Sequence, residues 1–340
     1  MKKILYGICG IGLGHMYRQL PILEFLAKDH KIALFVYGES LKFCHAHFKN
    51  TANIKIIEVA VPYVVGDKDG LDFKKTAKHP ANQPKNQKNF YSVNMKAFAT
   101  AQDFLGKPDM VLTDYEPNAA QYAYAHDSPL YTLDQQSKYL VGDFPQELNG
   151  YRHIDEAQRL RLFFPKAHKR IVSSFFSFKV KPAFANEALV MSPLLRPELA
   201  KATPSPSANH YLIYLSAQQG FGQSIEQLQN LCYQHPHLRF TLYGKDAKEN
   251  QDKNVVLRPH GHPDFVADLL TCEGLICTAG HSLLSEAVAL GIPTLALPMG
   301  LYEQQMNAHQ IEKNNWGISR EFYQNNLPSP QTPTQQHRFF

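Results

Sequence analysis

Short apolar runs and amphipathic stretches alternate twice along this chain. The two series are separated by SPLLRPELAKATPSPSANH (192–210), rich in Pro, Ser and Ala. In the first series ILYGIC (4–9), KIALFVYG (31–38), IKIIEVA (54–60), DMVLTD (109–114) and PLYTLD (129–134) have the length and side-chain content of strands. Helical periodicity lies between them, as in YRQLPILEFLAK (17–28) and SVNMKAFATAQDFL (92–105). In the second series YLIYLS (211–216), RFTLYG (239–244), NVVLRP (254–259), GLICTA (274–279) and PTLALPM (293–299) alternate with helix-like stretches such as SLLSEAVALG and EQQMNAHQIEKNNW. Strands joined through helices require right-handed crossovers and a parallel sheet. The predicted fold class is α/β, with two doubly wound Rossmann-like domains facing a cleft. The expected divisions are an N-terminal domain over 1–192, a linker over 193–210, a C-terminal domain over 211–325 and a flexible tail over 326–340. The 340 residues suit two domains of ordinary size.

Composition excludes several classes. No apolar run approaches the ~18–20 residues of a membrane-spanning helix. The formal charge of +5 is too small to argue for nucleic acid. Five Cys, an odd number with no CxxC pair, disfavour a disulfide framework or a zinc knuckle and fit a reducing cytoplasm. The N-terminal MKKILYGICGIGLGHM is interrupted by Gly7, Gly10, Gly12 and Gly14, so it reads as a buried strand running into a glycine loop rather than a signal peptide.

That loop invites a dinucleotide-binding reading, but the third glycine of GxGxxG falls on His15. The other reading is that the glycines bend the backbone so that His15 points into the cleft, where an imidazole suits general-base work. Asp114 ends the strand DMVLTD and so belongs to the same carboxyl edge of the sheet. There it would fix the His tautomer and stabilise the imidazolium. The plainer alternatives are a helix-start His15 bonded to backbone and an Asp114 that caps the helix after it.

The most specific stretch is TAGHSLLSEAVALGIPTLALPMGLYEQQMNAHQIEKNNWG (278–317). A strand ending at Thr278 and a turn at Gly280 lead into a helix near Ser282, whose free N–H groups suit a diphosphate. Glu286, one turn in, has the chemistry to accept from two ribose hydroxyls. Glu303, Gln304 and Asn307 open the helix after the next strand and suit a hydroxyl-rich ligand. The alternative is an ordinary cap and a solvated face.

This segment resembles the donor-binding signature of GT-B-fold glycosyltransferases that use nucleotide sugars. It is most similar to the plant and bacterial UDP-sugar transferases and to the peptidoglycan N-acetylglucosaminyltransferase acting on a lipid-linked acceptor. The residues that carry the resemblance are Gly280, Glu286, Gly291-Ile292-Pro293 and Glu303-Gln304-x-x-Asn307-Ala308. GLGH with Gly12, Gly14 and His15 resembles the families' acceptor loop, and Asp114 their partner Asp. SPLLRPEL with Arg196 resembles the motif before the second domain, and YLSAQQG its glycine-rich first loop. The resemblance departs at Thr278, where the plant signature has His, at His281-Ser282-Leu283, and in the missing double glycine of YLSAQQG.

What the resemblance implies is an inverting transfer from a nucleoside-diphosphate sugar, UDP-linked, to an acceptor hydroxyl, without metal or cofactor. The N-terminal domain would bind acceptor and the C-terminal domain donor. His15 would deprotonate the acceptor with Asp114 behind it. Backbone around Gly280, His281 and Ser282 would hold the diphosphate, Glu286 the ribose, and Glu303 and Gln304 the sugar hydroxyls, supported by Asn307. Arg196 and the loop Ser216–Gly220 would contact phosphate, the loop through either Ser216 or Gln218, and the loop at Arg258-Pro259-His260 would frame the base. Asp67-Lys68-Asp69 reads as a turn rather than a DxD metal motif. The pairs His45/His47, His235/His237 and His260/His262 lack a third ligand and read as structural. Two other classes share such a fold by resemblance: a UDP-N-acetylglucosamine 2-epimerase-like isomerase and a non-catalytic sugar-nucleotide-binding subunit.

The acceptor reading rests on charge. Six Lys and no acid lie between Phe73 and Lys96, and eight Lys or Arg face Asp155 and Glu156 between Arg152 and Lys181. With Phe163, Phe164, Phe175, Phe176 and Phe178 among them, these stretches would dock the protein on an anionic inner membrane face, with a lipid-linked or cell-surface glycan as acceptor. The alternative is that the Phe residues are core and the Lys residues solvated.

Overall fold

The computed structural model describes residues 1–61, 66–67, 70–71, 78, 90–215, 225–244 and 247–320. Seven strands form the N-terminal sheet: β1 (Lys3–Ile8), β2 (Lys31–Val36), β3 (Ile54–Glu58), β4 (Met110–Asp114), β5 (Leu130–Asp134), β6 (Lys169–Ser173) and β7 (Ala188–Met191). Their order is β7-β6-β5-β4-β1-β2-β3, and every pair is parallel. Seven more form the C-terminal sheet: β8 (His210–Tyr214), β9 (Arg239–Gly244), β10 (Asn250–Asp252), β11 (Val255–Pro259), β12 (Gly274–Cys277), β13 (Thr294–Ala296) and β14 (Gly317–Ser319). Their order is β10-β11-β9-β8-β12-β13-β14, with only the β10–β11 pair antiparallel. In each sheet the strand order reverses beside the first strand, between β1 and β4 and between β8 and β12. Such reversals open crevices at the carboxyl ends of the strands, where doubly wound sheets bind ligands.

The helices are α1 (Gly14–Ala27), α2 (Gly38–His47), α3 (Phe90–Leu105), α4 (Pro117–Ala125), α5 (Lys138–Val141), α6 (His153–Phe163), α7 (Ile225–Tyr233), α8 (Phe265–Thr271), α9 (His281–Leu290) and α10 (Tyr302–Lys313). The apolar runs of the sequence are strands buried on both faces, as a parallel sheet demands. Leu5, Ala33, Phe35 and Val111 pack on α3 and α4 through Ala97, Ala101, Ala119 and Tyr122. Their neighbours Ile4, Tyr6, Ile8 and Leu34 pack on the other side against Met16, Leu20 and Leu23 of α1. Glu116 starts α4 by accepting from the Asn118 and Ala119 N–H groups at 2.9 and 2.6 Å, with Pro117 in the first turn.

The structure adds β6, β7, β10 and β14 to the strands expected from sequence. β6 changes the reading of the basic, Phe-rich stretch. Phe164, Phe175 and Phe176 are core, and Phe178 packs against it. Leu162 and Phe163 remain exposed, at 71% and 36%. All five Cys are buried free thiols. The linker is stitched to the second sheet's layer, since the Ser205 and Ser207 N–H groups donate to the carbonyls of Leu270 and Thr271, each at 2.8 Å. Gly66–Asp67 and Gly70–Leu71 pair antiparallel. Lys68, Asp69, most of the basic stretch between Phe73 and Lys96 (Phe73, Lys74, Lys75, Lys85 and Lys88 among it), Ser216, Gln218 and the tail over 326–340 lie outside the described residues.

Candidate functional site

The glycine loop after β1 is shaped by close packing. A Cβ on Gly10 would lie 1.9 Å from the Tyr37 carbonyl oxygen, and Gly12 has φ of +70°, a left-handed conformation that favours glycine. The loop delivers α1 beginning at Gly14, so His15 stands in the first turn of a helix. β4 ends at Asp114, and the next residue, Tyr115, also has positive φ (+54°) and stacks near His15 with centroids 6.4 Å apart. Hence the two residues, 99 positions apart in sequence, meet: His15 Nδ1 lies 3.0 Å from Asp114 Oδ1.

Asp114 is fully buried and surrounded by donors. Arg18 Nε donates to its Oδ2 at 2.8 Å, Arg18 Nη2 donates to its Oδ1, and Gln19 Nε2 donates to its Oδ2 at 2.9 Å. Burial pushes the carboxyl up, but Arg18 and His15 outweigh it and hold it down at about 2. It is therefore an ionised carboxylate at neutral pH. For His15, burial and the Arg18 guanidinium push the imidazole down, while Cys9 and Asp114 push it up; the balance lies at about 9. The Cys9 thiol, on the residue after β1 and 1% exposed, has Sγ 3.1 Å from the Tyr37 hydroxyl.

Across the cleft, α9 begins after Gly280 with no side chain capping its N–H groups. α1 after Leu13 and α10 after Leu301 are likewise uncapped. All three helix starts border one cavity of about 320 Å³ between the sheets. It is lined by Gly12, Gly14, His15, Arg18, Gln135, Arg196, Tyr214, His260, Gly280, His281, Ser282, Glu303 and Gln304, among others. Its position outside two reversal points and its size are those of a small-molecule site.

Behind the lining, Glu286 and Asn307, both singled out from sequence, hold other residues in place. Glu286, 5% exposed, accepts from Arg196 Nε at 2.7 Å and Nη2 at 3.2 Å. Arg196 in turn lies between the rings of Tyr17 and Phe265, at 4.4 and 4.6 Å from their centroids. Asn307, fully buried, donates from Nδ2 to the Ala279 carbonyl at 2.9 Å, which fixes the turn before α9. Gln304 borders the cavity, and its Oε1 accepts from the Met299 N–H at 2.9 Å. Glu303 Oε1 accepts from Gln135 Nε2 across the cleft at 2.6 Å, and Gln135 Oε1 accepts from the buried Lys138 Nζ at 2.7 Å. Burial drives the Lys138 ammonium down to about 7 despite Glu303. His281 is 3% exposed, and its Nε2 has no hydrogen-bond partner among the described residues. Its imidazole is pushed down by burial, Lys138, Arg18 and His15, so it is neutral.

The loop after β11 contributes His260, stacked on Tyr214 at 4.5 Å, whereas Arg258 Nη1 turns to Asp264 Oδ2 and Asp268 Oδ2 at 2.9 and 2.7 Å. His45 and His47 lie on α2, and His47 pairs with Glu24 at 2.8 Å. Among the described residues no three His, Cys, Asp or Glu side chains are grouped as for a metal ion, and no helix is long and apolar enough to cross a membrane.

Sequence reasoning missed Arg18, Gln19, Gln135 and Lys138. A signal existed for the first two. His15, Arg18 and Gln19 fall at i, i+3 and i+4, one helical face, beside the face of Met16, Leu20 and Leu23 that packs on the sheet.

Comparison with known proteins bears on this site. A family model described as glycosyl transferase family 1 matches residues 2–328. Two archaeal proteins, named only as uncharacterized glycosyltransferases of Methanosarcina mazei and Methanosarcina acetivorans, are each 24% identical to this chain. Each alignment covers 93% of this chain and 84% of the relative. Among solved structures, the calicheamicin glycosyltransferase CalG4 superposes with a TM-score of 0.58 at 16% identity, covering 94% of this chain and 86% of that one. The glycotransferase of kitacinnamycin gives 0.61 at 12% identity, covering 95% and 87%. LpCGTa in complex with UDP gives 0.59 at 15% identity, covering 94% and 85%. At these identities the structural likeness is one of fold.

Proposed function

Because the chain belongs to glycosyl transferase family 1 and is a glycosyltransferase of GT-B fold, we propose that it moves a sugar from a UDP-linked donor to an acceptor hydroxyl, with inversion and without a metal ion or cofactor. One observation carries this reading: the His15–Asp114 pair stands at the carboxyl edge of one sheet, facing the uncapped start of α9 across the cavity. A base on one side and an anion site on the other is what direct displacement of a nucleoside diphosphate requires.

In this mechanism His15 Nε2 takes the acceptor proton while Asp114 steadies the imidazolium through Nδ1–H. The acceptor oxygen attacks the anomeric carbon from the face opposite the diphosphate, and inversion follows from that single displacement. Charge growing on the diphosphate is met by the α9 N–H groups, aided by the helix dipole and nearby cationic side chains, so no metal is needed for that task. Glu303 and Gln304 bind donor-sugar hydroxyls, with Gln135 orienting Glu303. Glu286 binds the ribose, with Arg196 fixing its carboxylate. Asn307 holds the turn before α9, Gly12 supplies the positive-φ bend of the acceptor loop, and Gly14 lets that loop lie against Ser282 of the donor helix. Tyr214 and His260 offer stacked rings for the base. UDP as the nucleotide is supported by the fold neighbour solved with UDP; a second neighbour carries thymidine diphosphate, so TDP is the first competitor to test.

The acceptor side is the N-terminal domain. We take the acceptor to be lipid-linked or part of a cell-surface glycan, met at the inner face of the membrane by the basic stretches and the exposed Leu162 and Phe163. Expected partners are thus the nucleotide sugar and a membrane surface, not nucleic acid.

The test is turnover of UDP-sugars by wild type and by His15→Ala. The variant should lose about 100- to 10,000-fold in turnover, the range a positioned general base supplies. It should still bind UDP as wild type does. Retained turnover would remove His15 from the mechanism.

A further inference from the structure

The cation that faces the start of α9 is not the one expected from sequence. Arg196 has two of its nitrogens on Glu286 and an aromatic ring on each face. Arg18, from the opposite domain and 5% exposed, reaches across instead. Its Nη1 lies 3.4 Å from Ser282 Oγ, in the first turn of α9, while Nε and Nη2 hold Asp114. The domains approach closely here, for Ser282 Oγ also donates to the Gly14 carbonyl at 3.3 Å. In the same turn His281, buried, leaves Nε2 without a partner among the described residues.

A second feature concerns His15. Its Nδ1 has two neighbours, Asp114 Oδ1 at 3.0 Å and Arg18 Nη2 at 2.7 Å. One ring nitrogen carries either a hydrogen or a lone pair, so it serves only one of them. If it accepts from Arg18, a neutral ring has its hydrogen on Nε2 and cannot act as a base there. If it donates to Asp114, Arg18 Nη2 meets another N–H group. An anion at α9 that drew the guanidinium toward Ser282 would resolve this conflict.

We propose that Arg18 is a phosphate-contacting residue of the transfer reaction: its Nη1 meets the donor's diphosphate beside Ser282, and that contact frees His15 Nδ1 to donate to Asp114. One guanidinium then ties donor binding to readiness of the base, so that the acceptor is deprotonated only when a leaving group is in place. This rests on the reading of the α9 start as the diphosphate site. The groups facing Arg18 are Asp114, His15, Gln136 and Ser282, with the Asp134 carboxyl and the Cys9 thiol also acting on its charge.

The experiment compares UDP with uridine, which lacks the phosphates, by calorimetry on wild type, Arg18→Gln and Arg18→Lys. Loss of a charge-assisted contact should weaken UDP about tenfold in Arg18→Gln and less in Arg18→Lys, with uridine unchanged. The acidic limb of kcat/KM should move to higher pH in Arg18→Gln, because a positive charge beside His15 is gone, and stay near wild type in Arg18→Lys. A residue that only braces Asp114 would not separate UDP from uridine. Should Arg18→Gln fail to fold, NMR of the arginine side chains in wild type decides. The Arg18 signals, assigned by their loss in Arg18→Lys, should shift with UDP and not with uridine. UDP binding unchanged in Arg18→Gln, or Arg18 signals indifferent to UDP, overturns the proposal. No nucleoside diphosphate binding to wild type would instead remove the diphosphate site itself, and this proposal with it.

Discussion

Replacing Asp114 by Asn tests the centre of the N-terminal sheet edge. The carboxylate is fully buried and held at about 2, against an ordinary 3.8, because Arg18 and His15 favour its charge. That difference corresponds to about 2.5 kcal/mol of stability at neutral pH. Asn keeps the shape but leaves the Arg18 guanidinium, 5% exposed, without a counter-charge. Breaking one side of a buried pair costs about 3–5 kcal/mol. For a chain of 340 residues, about 1.4 °C in midpoint per kcal/mol gives a fall of about 4–7 °C. The pH dependence carries a sign. A carboxyl whose folded value is depressed stabilises fully above about 3.8 and loses that contribution as pH falls through about 2. Wild type should therefore lose stability across that acid window, and Asp114→Asn should not lose that portion. The assay is a thermal melt of both proteins from neutral to acid pH. Equal midpoints at neutral pH would refute the argument, because they would mean that Asp114 is not carrying the Arg18 and His15 charges.

Other outcomes follow from the same geometry. In free enzyme kcat/KM should rise with pH to a limb near 9, since His15 is protonated below that value and a base must be deprotonated; a flat profile between pH 7 and 10 would contradict the assignment. Arg196→Met should lower stability by about 3 kcal/mol by stranding Glu286, and the loss should shrink as pH falls, because burial raises that carboxyl and protonation relieves it. Co-sedimentation with anionic but not neutral liposomes should occur, and should weaken when Leu162 and Phe163 are changed to Ser; pelleting with neither liposome would remove the membrane contact.

Much of the architecture was legible because a doubly wound sheet writes itself as buried apolar runs with helices between. β1 to β5 and β8, β9, β11, β12 and β13 each correspond to a run named from sequence. β6 was hidden by its charges. Lys169-Arg170-Ile171-Val172-Ser173 looks solvated, yet Arg170 is 1% exposed, paired with Glu187 and bonded to the Phe164 carbonyl at 2.8 Å. A buried charge with its partner on another element leaves no local signal. β7, β10 and β14 are edge or near-edge strands of three or four residues, too short for periodicity to register. In the site, His15 and Asp114 were findable because one ends a strand and the other lies beyond the carboxyl end of the neighbouring strand in the same sheet. Arg18 was not sought because an arginine in a helix is usually at the surface, and only the fold shows that this face turns inward. The pairing of Arg196 with Glu286 leaves no local signal either, because 90 residues separate them.

The most direct test is a thermal-shift panel with UDP, TDP, GDP, CMP, ADP and NAD on the wild-type protein. A ligand at 100 times its dissociation constant adds about 2.7 kcal/mol. The account predicts that UDP raises the midpoint most and that His15→Ala retains this shift while losing turnover. A shift with NAD alone would make the glycine loop a cofactor site and contradict the donor site at α9.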